Sequence, residues 1–241
     1  MAPLQIAVFG KAPLPGQVKT RLIPSLGADG AAQVQRQMLQ HALRIAGAAA
    51  PGGVSLWCAG DLLHPFLQDC VSRFQVTLHP QCAGDLGVRM RHALRALATP
   101  AAPVLLIGSD CPALSSADLQ AAADALNSGA KMVFTPADDG GYVLVGIRRS
   151  VVHARRTALD TALDTALDSA TDPMVEVGID AAFEHIAWST AQVMAQTRLH
   201  LTKLGWRRGE EWVELPTRWD VDLPADYERA CALGLLARVS P

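Results

Sequence analysis

Short, largely apolar runs recur along the chain, and turn-forming or polar residues bound each of them. They cover residues 4–9, 54–58, 74–78, 104–107 and 131–136. Runs of this length are typical of strands buried on both faces of a parallel sheet. Stretches of helical periodicity separate them, which predicts an α/β fold with a mostly parallel central sheet flanked by helices. A late hairpin is also expected, because Gly140 and Gly141 can form a tight turn between the last of these runs and a further run at 142–147.

Capping residues mark where several helices should begin. Asp29 is expected to cap the helix after the first strand, and Asp85 the helix after the third. Ser115 and Asp118 have the spacing of a capping box, in which each side chain satisfies a backbone N–H of the other residue. The helix that follows residues 104–107 therefore carries its own start signal.

Asp110 lies just beyond the most apolar run, which ends at Gly108. Ligands of open α/β sheets bind outside the carboxyl ends of the strands. Because the next helix is already capped, the structural alternative for this carboxylate is to shape a turn. We therefore expect Asp110 to belong to the functional site, and the remaining motifs can be judged by whether they converge on it.

A basic loop follows the first strand. Residues 10–22 contain Lys11, Lys19 and Arg21 and no acidic residue. Lysine supplies a point charge and arginine a bidentate fork, so this loop suits a polyphosphate, although an ordinary solvated loop is the alternative. The glycine spacing does not meet the P-loop pattern, and two prolines remove backbone donors that a P-loop needs.

Two further segments place polar residues at strand ends. After the third strand, Gly84 lets the backbone approach a ligand, and Asp85 is expected to cap the helix, to contact that ligand, or both. Asp138 and Asp139 are adjacent at the hairpin, where a single aspartate suffices for the turn. At least one of these two carboxylates is therefore expected to be functional.

Asp220 and Asp222 alternate late in the chain, so they share one face if the segment is extended. One of them can then reach the carboxyl edge of the sheet while the other anchors the loop. The alternative is that Asp222 only caps the helix that begins near Pro224.

Composition argues against several classes of protein. Half of the 241 residues are hydrophobic and 18% are charged, which supplies a sizeable core. The formal net charge of −2 argues against a nucleic-acid partner, and no apolar stretch approaches membrane-spanning length. The five cysteines include no Cys-x-x-Cys pair, and the first residues lack a signal-peptide pattern. We therefore expect a cytoplasmic protein with no nucleic-acid or membrane partner.

One segment has low complexity. The sequence Thr-Ala-Leu-Asp occurs three times between Thr157 and Asp168. A period of four places the leucines along one helical stripe with the aspartates beside them, which favours a solvated, inserted surface helix over a metal site. We expect one domain over residues 1–241 with this insertion at about 150–179.

Five motifs stand in order along the chain. They are Phe9-x-Lys11-x-Pro13-x-Pro15-Gly16-x-Val18-Lys19-Thr20-Arg21-Leu22, Gly84-Asp85-Leu86-Gly87-x-Arg89-Met90, Gly108-Ser109-Asp110-Cys111-Pro112, Asp138-Asp139-Gly140-Gly141-Tyr142 and Trp219-Asp220-Val221-Asp222. Together they resemble a bacterial family of uncharacterised glycosyltransferases associated with radical-SAM and arsenosugar gene clusters. More distantly, the chain is similar to phospholactate and molybdenum-cofactor guanylyltransferases. All belong to the nucleotide-diphospho-sugar transferase superfamily, so the resemblance implies the GT-A, Rossmann-like fold.

The resemblance also implies roles for individual residues. Asp110 corresponds to an aspartate that contacts metal and nucleotide, and Asp222 to a second metal contact. The metal is expected to be Mg²⁺ or Mn²⁺, because these hard cations prefer carboxylate oxygen and bridge substrate phosphates. Leu223 replaces a threonine common in the family, which favours the use of Asp222 as a cap instead. The expected phosphate- and nucleotide-binding residues are Lys11, Lys19, Arg21, Gly84, Asp85 and Ser109.

Two transfer reactions agree with these residues. In glycosyl transfer from a nucleoside-diphosphate sugar, a hydroxyl of a small-molecule acceptor attacks the anomeric carbon, with Asp138 or Asp139 as the base. In nucleotidyl transfer, an acceptor phosphate attacks a nucleoside triphosphate and pyrophosphate leaves. Lys19 would help to neutralise the leaving group in either reaction. The basic loop favours nucleotidyl transfer and the family resemblance favours glycosyl transfer, which we rank first. A non-catalytic nucleotide-binding domain is the third hypothesis.

Overall fold

The computed structural model describes residues 3–99, 102–149 and 173–239. Strands and helices alternate through the first half of the chain, as the apolar runs predict. The elements are β1 (Gln5–Lys11), α1 (Ile23–Ala49), β2 (Val54–Ala59), α2 (Pro65–Phe74), β3 (Thr77–Pro80), α3 (Leu86–Leu97), β4 (Val104–Gly108), α4 (Ser116–Asn127), β5 (Met132–Pro136), β6 (Tyr142–Ile147), α5 (Pro173–Phe183), α6 (Val193–Lys203), β7 (Trp212–Glu214) and α7 (Pro224–Ala232).

The described strands form one sheet in the order β3-β2-β1-β4-β6-β5-β7. Strand β6 runs antiparallel to both of its neighbours, β4 and β5, and the other neighbouring strands are parallel. This confirms the predicted α/β class, the mostly parallel sheet and the hairpin. Because β1 and β4 are parallel neighbours, with Phe9 opposite Gly108, the basic loop and the Asp110 segment leave the sheet at the same edge.

Both faces of the sheet are covered by helices, which is why the central strands read as continuous apolar runs. Along β1, Ile6 and Val8 pack into a core formed with α1, α2 and α4. Ala7 and Phe9 point to the opposite face, where α3, α5 and α6 contribute. A third apolar cluster joins α1 to α7. It fixes α7, and with it the segment that contains Asp220 and Asp222, against the start of α1.

The first helix begins earlier than its sequence indicates. Pro24 lies in the first turn of α1, and Gly27, at φ 69°, interrupts the helical path before the helix continues. A left-handed φ costs glycine little, so a kink is tolerated at this position. Asp29 therefore lies inside α1 after the kink, and the prediction that it caps the start of this helix is wrong.

Two other predicted helix starts are confirmed. The Asp85 carboxylate accepts a hydrogen bond of 2.9 Å from the backbone N–H of Val88 at the start of α3. Ser115 and Asp118 form the predicted capping box of α4, because each side chain accepts from the backbone N–H of the other. Asp110 is therefore not needed to cap α4.

The predicted insertion at about 150–179 falls mostly outside the described residues, which resume at residue 173. The repeat at 157–168 lies wholly outside them, so the inserted surface helix stays a prediction, as does the single domain over 1–241. Within α5, Ile179 is fully buried in the core beneath the sheet. No helix in the described part of the chain is long and apolar enough to cross a membrane.

Candidate functional site

The basic loop folds back on itself at the end of β1. Lys11 donates through Nζ to the backbone carbonyl of Gln17 over 3.2 Å. Gln81, which follows β3, donates to the carbonyl of Trp57 over 3.0 Å and to that of Gly10 over 3.4 Å. These bonds tie the beginning of the loop to the neighbouring strand ends. The loop ends in a single 3₁₀ turn over Thr20–Leu22.

Lys19 is the point at which three distant segments meet. Its backbone adopts the left-handed conformation, at φ 44°, which turns the side chain into the protein. Its Nζ lies 2.9 Å from Asp110 Oδ2 and 3.1 Å from Asp222 Oδ1, and donates to the carbonyl of Val221 over 2.8 Å. Burial alone would lower the pKa of Lys19, but the attraction of Asp110 and then Asp222 leaves this pKa raised above its ordinary value. The ammonium is therefore charged at neutral pH.

Asp110 is held from both sides. Its Oδ1 accepts from the hydroxyl of Ser109 over 3.0 Å, and that hydroxyl accepts from the buried side-chain amide of Gln35 on α1 over 3.3 Å. The backbone carbonyl of Asp110 accepts from the N–H of Val221 over 2.9 Å. The end of β4 is therefore joined directly to the segment that carries Asp220 and Asp222.

The carboxylate of Asp222 faces the basic loop and does not cap α7. Its Oδ2 lies 3.3 Å from Nη1 of Arg21, and its Oδ1 contacts Lys19. Asp226 does the capping, since its Oδ2 accepts from the backbone N–H of Asp222 over 3.2 Å and of Leu223 over 2.8 Å. The expectation that Leu223 diverts Asp222 to the helix start is thus wrong, because a carboxylate further along supplies that cap.

A first pocket of about 470 Å³ opens where these segments meet. It brings together most of the residues that the sequence assigned to phosphate, nucleotide and metal. Its lining includes Lys11, Lys19, Arg21, Ser109, Asp110 and Asp222, with Gln35 and Gln81 behind them. Leu86, the first residue of α3, is among the described residues that line this pocket, whereas Gly84 and Asp85 are not. Their predicted contact with the nucleotide stays a prediction.

A second pocket of about 410 Å³ adjoins the first and shares with it Arg21, Leu86, Asp110 and Asp222. Its remaining wall has a different chemistry. The additional polar and aromatic side chains are Asp139, Tyr142, Trp188, Ser189, Thr190 and Asp220. Carboxylates, hydroxyls and two aromatic rings therefore face this space.

The two adjacent hairpin aspartates both lie in the turn, but only one of them lines the second pocket. Asp139 lines the second pocket, and its Oδ1 accepts from the backbone N–H of Gly141 over 2.9 Å. Asp138 is exposed, lies outside both of these pockets, and binds the carbonyl of Arg218 through its backbone N–H. Gly140 allows the close approach of the 188–191 segment, because a Cβ there would lie 2.1 Å from the carbonyl oxygen of Ala191.

The sequence indicated only that Asp220 or Asp222 reaches the carboxyl edge of the sheet, and it indicated no role for Trp188; both Asp220 and Trp188 line the second pocket. The pKa of Asp220 is raised to about 6, first by burial and then by the nearby charges of Asp139 and Asp222. The alternation of Asp220 and Asp222 was a usable signal. Trp188, far from any motif, packs against Gly87 of α3, where a Cβ would lie 2.6 Å from the indole ring. The only indication of this contact in the sequence is Gly87, which belongs to one of the five motifs.

The two pockets together carry slightly more negative than positive charge. Among their described lining residues, three cations face four carboxylates, namely Lys11, Lys19 and Arg21 against Asp110, Asp139, Asp220 and Asp222. Lys19 and Arg21 are already paired with carboxylates. Without a further cation, the protein therefore offers a polyphosphate little net attraction.

The carboxylates of this site can hold a hard divalent cation only if a substrate phosphate supplies further ligands to that cation. Asp110 and Asp222 supply carboxylate oxygens and are each almost half exposed toward the first pocket. Within the described ranges, no three His, Cys, Asp or Glu side chains converge as a metal cage. Mg²⁺ characteristically binds through one or two carboxylates, water and substrate phosphates. The donor set thus suits a metal–phosphate complex.

Comparison with known proteins places this geometry in context. The family model described as "Uncharacterized protein conserved in bacteria (DUF2064)" matches residues 42–190. No protein with curated annotation matches the chain. A solved structure from Desulfovibrio desulfuricans G20, provisionally named a nucleotide-diphospho-sugar transferase, is 28% identical, with a TM-score of 0.68 over 92% of this chain and 84% of that one.

Two more distant structures share the fold alone. A cytidylyltransferase from Leptospira borgpetersenii is 12% identical, with a TM-score of 0.56 over 98% of this chain and 89% of that one. A nucleotidyl transferase from Methanothermobacter thermautotrophicus is also 12% identical, with a TM-score of 0.54 over 98% and 99%. The fold is therefore that of nucleotide-diphospho-sugar transferases and nucleotidyltransferases, as expected. The expected association with radical-SAM and arsenosugar genes stays a prediction.

The contact between Gly87 and Trp188 predicts a stability difference between two helical glycines. Gly87→Ala should lower the free energy of unfolding by about 1–3 kcal/mol, since the new methyl group overlaps the indole ring. Gly47→Ala is the control, because no heavy atom lies within 4 Å of a Cβ at that position of α1. It should leave stability unchanged or raise it by up to about 1 kcal/mol. Urea unfolding of both variants measures the difference, and equal stabilities would contradict the packing described.

Proposed function

Because the chain belongs to the family described as uncharacterised proteins conserved in bacteria (DUF2064), whose description names no reaction, we propose its function from the site: a metal-dependent transferase that uses a nucleoside-diphosphate sugar. One observation carries the proposal. Two adjoining pockets share Asp110 and Asp222, and one is lined by the basic loop while the other is lined by carboxylates, hydroxyls and aromatic rings. A phosphate-bearing group suits the first pocket, and a neutral polyhydroxyl group suits the second.

In the first pocket, the basic loop would hold the diphosphate of the donor. Lys11 reaches the pocket from the end of β1, and Lys19, whose ammonium is charged, also lines it. Arg21 is two-thirds exposed and can turn its guanidinium toward a phosphate. As the bond to the sugar breaks, these cations would neutralise the charge that develops on the departing nucleoside diphosphate.

Asp110 and Asp222 would hold Mg²⁺ or Mn²⁺ together with the phosphates. When bound, the cation would supply the positive charge that the pockets themselves lack. Ser109 and Gln35 would keep the Asp110 carboxylate in position through their chain of hydrogen bonds. Asp226 would keep Asp222 oriented by capping α7 in its place.

The second pocket would bind the sugar and admit the acceptor. The carboxylates of Asp139 and Asp220 can accept hydrogen bonds from sugar hydroxyls, and the indole of Trp188 offers an apolar face. Of the two hairpin aspartates, we assign the role of base to Asp139, because it lines the second pocket and Asp138 lies outside it. Its Oδ1 is oriented by the N–H of Gly141, which leaves the other oxygen to accept the proton of the acceptor hydroxyl.

Charge favours glycosyl transfer over nucleotidyl transfer. The nucleotidyl reaction requires an acceptor phosphate beside the first pocket, but the wall there adds the carboxylates of Asp139 and Asp220, and Arg21, the cation among its described lining residues, is already paired with Asp222. Carboxylates repel a phosphate and hydrogen-bond readily to a hydroxyl. Nucleotidyl transfer remains the second candidate, because the loop with Lys11, Lys19 and Arg21 also suits a triphosphate.

Phosphorus NMR with Mg²⁺ distinguishes these reactions. The protein is incubated with a panel of nucleoside-diphosphate sugars, or of nucleoside triphosphates, together with hydroxyl and phosphate acceptors. Release of a nucleoside diphosphate from a sugar nucleotide, lost with EDTA, is the expected result. Release of pyrophosphate from a triphosphate would replace the glycosyl proposal by the nucleotidyl one. Metal-dependent binding without either product would indicate a non-catalytic nucleotide-binding domain.

The different placement of the two hairpin aspartates predicts different effects of their removal. Asp139→Asn should lower kcat by about 10²–10⁴-fold, the usual contribution of general base catalysis, while donor binding changes little. Asp138→Asn, an identical change one residue away and outside the pockets, should leave kcat within about threefold of the wild type. Steady-state kinetics with the donor found by NMR measures both. A larger loss in the Asp138 variant would show that the base has been misassigned.

The proposed metal site predicts a metal-dependent loss of nucleotide affinity. Asp110→Ala should weaken nucleoside-diphosphate binding in the presence of Mn²⁺ by about tenfold or more, since a charge-assisted contact contributes about 1.5–3 kcal/mol. Binding in EDTA should change far less. Asp124→Ala, which removes an exposed carboxylate of α4, is the control and should bind like the wild type. Isothermal titration measures these affinities, and equal affinity of the Asp110 variant and the wild type with Mn²⁺ would refute the assignment.

A further inference from the structure

The position of Lys19 has a consequence for how a metal could reach the two carboxylates. Its ammonium contacts one oxygen of Asp110 at 2.9 Å and one of Asp222 at 3.1 Å. The Lys19 side chain is only 6% exposed, whereas those of Asp110 and Asp222 are 45% and 44% exposed. The pair is thus open to the first pocket, but a cation already bridges it from the protein side.

Each oxygen of the carboxylate pair has a hydrogen-bonding or ionic partner. The oxygens that do not contact Lys19 are held by the hydroxyl of Ser109, on Asp110, and by the guanidinium of Arg21, on Asp222. With Lys19 and Arg21 nearby, the two negative charges of the pair are balanced by two positive ones. A metal ion that arrives alone would meet a cluster whose charges are balanced and whose four carboxylate oxygens each already have a partner.

We propose that Lys19 is a resident cation that bridges Asp110 and Asp222, and that a divalent cation binds this pair only together with a polyphosphate, to which the Lys19 ammonium then moves. This inference rests on the proposed function in one respect, namely that the first pocket accepts a nucleotide diphosphate and a metal. It adds an order to their binding and assigns Lys19 a part in setting that order.

A divalent cation and the Lys19 ammonium cannot both bridge Asp110 and Asp222, because their positive charges repel each other. A divalent cation in contact with the same two carboxylates would lie within a few ångströms of the Lys19 ammonium. At such distances, in a half-buried site, the repulsion of like charges is strong enough to change affinity by more than tenfold. For the metal to bridge the pair, the ammonium has to leave its position between them.

The displaced ammonium requires a new anion. Lys19 is nearly buried, so leaving it without a partner would expose the full cost of burying an isolated charge. Its long, flexible side chain can swing toward the first pocket, which Lys19 itself lines. A phosphate in that pocket would accept the ammonium, and Arg21, which is far more exposed, could follow it. Metal alone supplies no such anion.

Two methionine substitutions in the same loop test the inference without turnover. Lys19→Met removes the bridging cation, and Lys11→Met removes an equal charge that contacts the Gln17 carbonyl instead. Free Mn²⁺ is followed by electron paramagnetic resonance in the absence of any phosphate. Lys19→Met should bind Mn²⁺ about tenfold or more tightly than the wild type, and Lys11→Met should resemble the wild type. A second substitution, Asp110→Asn, should abolish the gain in the Lys19 variant.

Two results of this measurement would contradict the role of Lys19. If the wild type binds Mn²⁺ alone as tightly as Lys19→Met, or if Lys11→Met gains as much, Lys19 does not exclude the metal. Thermal unfolding, with and without Mn²⁺, checks that the Lys19 variant folds. Mn²⁺ alone should raise its melting temperature more than that of the wild type.

A measurement on the wild type does not depend on any variant being stable. In ¹⁵N-lysine-labelled protein, the Nζ resonance of Lys19, assigned through its absence in Lys19→Arg, reports the surroundings of the ammonium. Mg²⁺ with inorganic pyrophosphate should shift this resonance, and Mg²⁺ alone should not. A shift with Mg²⁺ alone, or none with both, would contradict the inference. Because neither readout involves a reaction, its failure is distinguishable from a failure to find the proposed glycosyl transfer.

Discussion

The ion-pair cluster around Lys19 is the interaction on which the arrangement of this site depends. Its members come from three parts of the chain: the loop after β1, the end of β4 and the segment before α7. Contact between Lys19 and Asp222 spans 203 positions in the sequence. The nearly buried ammonium of Lys19 is compensated by both carboxylates, and loss of either one would leave it less well compensated, which is costly, so each segment holds the other two in place. The pocket floor is therefore a consequence of charge pairing.

The sheet makes this cluster possible by placing its members at one edge. Parallel pairing of β1 with β4 puts the basic loop and Asp110 side by side. The antiparallel hairpin of β5 and β6 then brings Asp139 and Tyr142 to the neighbouring wall. The 188–191 segment packs on glycines of two different motifs, Gly87 and Gly140, and closes that wall with Trp188. Two pockets of different chemistry thus share one pair of carboxylates.

Much of this architecture could be predicted from local pattern. The apolar runs predicted the strands of the sheet, and the capping box of Ser115 and Asp118 indicated that Asp110 is not needed to cap α4. Two predictions of helix caps were wrong, each because of a neighbouring residue whose effect the pattern did not reveal. Asp29 was expected to cap α1, but the kink at Gly27 places it inside the helix. Asp222 was expected to be diverted to α7, but Asp226 caps that helix, and Asp222 pairs with Lys19 and Arg21. Trp188 and Asp220 acquire their positions only through tertiary packing.

The central claim is that Asp110 and Asp222 form a metal–phosphate site at the carboxyl edge of β4. A crystal of the protein grown with Mn²⁺ and a nucleoside diphosphate, with the anomalous signal of manganese recorded, tests it most directly. We expect one strong peak at about 2.0–2.3 Å from an oxygen of Asp110 or Asp222 and from a phosphate oxygen, with the ammonium of Lys19 against the phosphate. A peak elsewhere, with Lys19 still bridging the two carboxylates, would contradict the account.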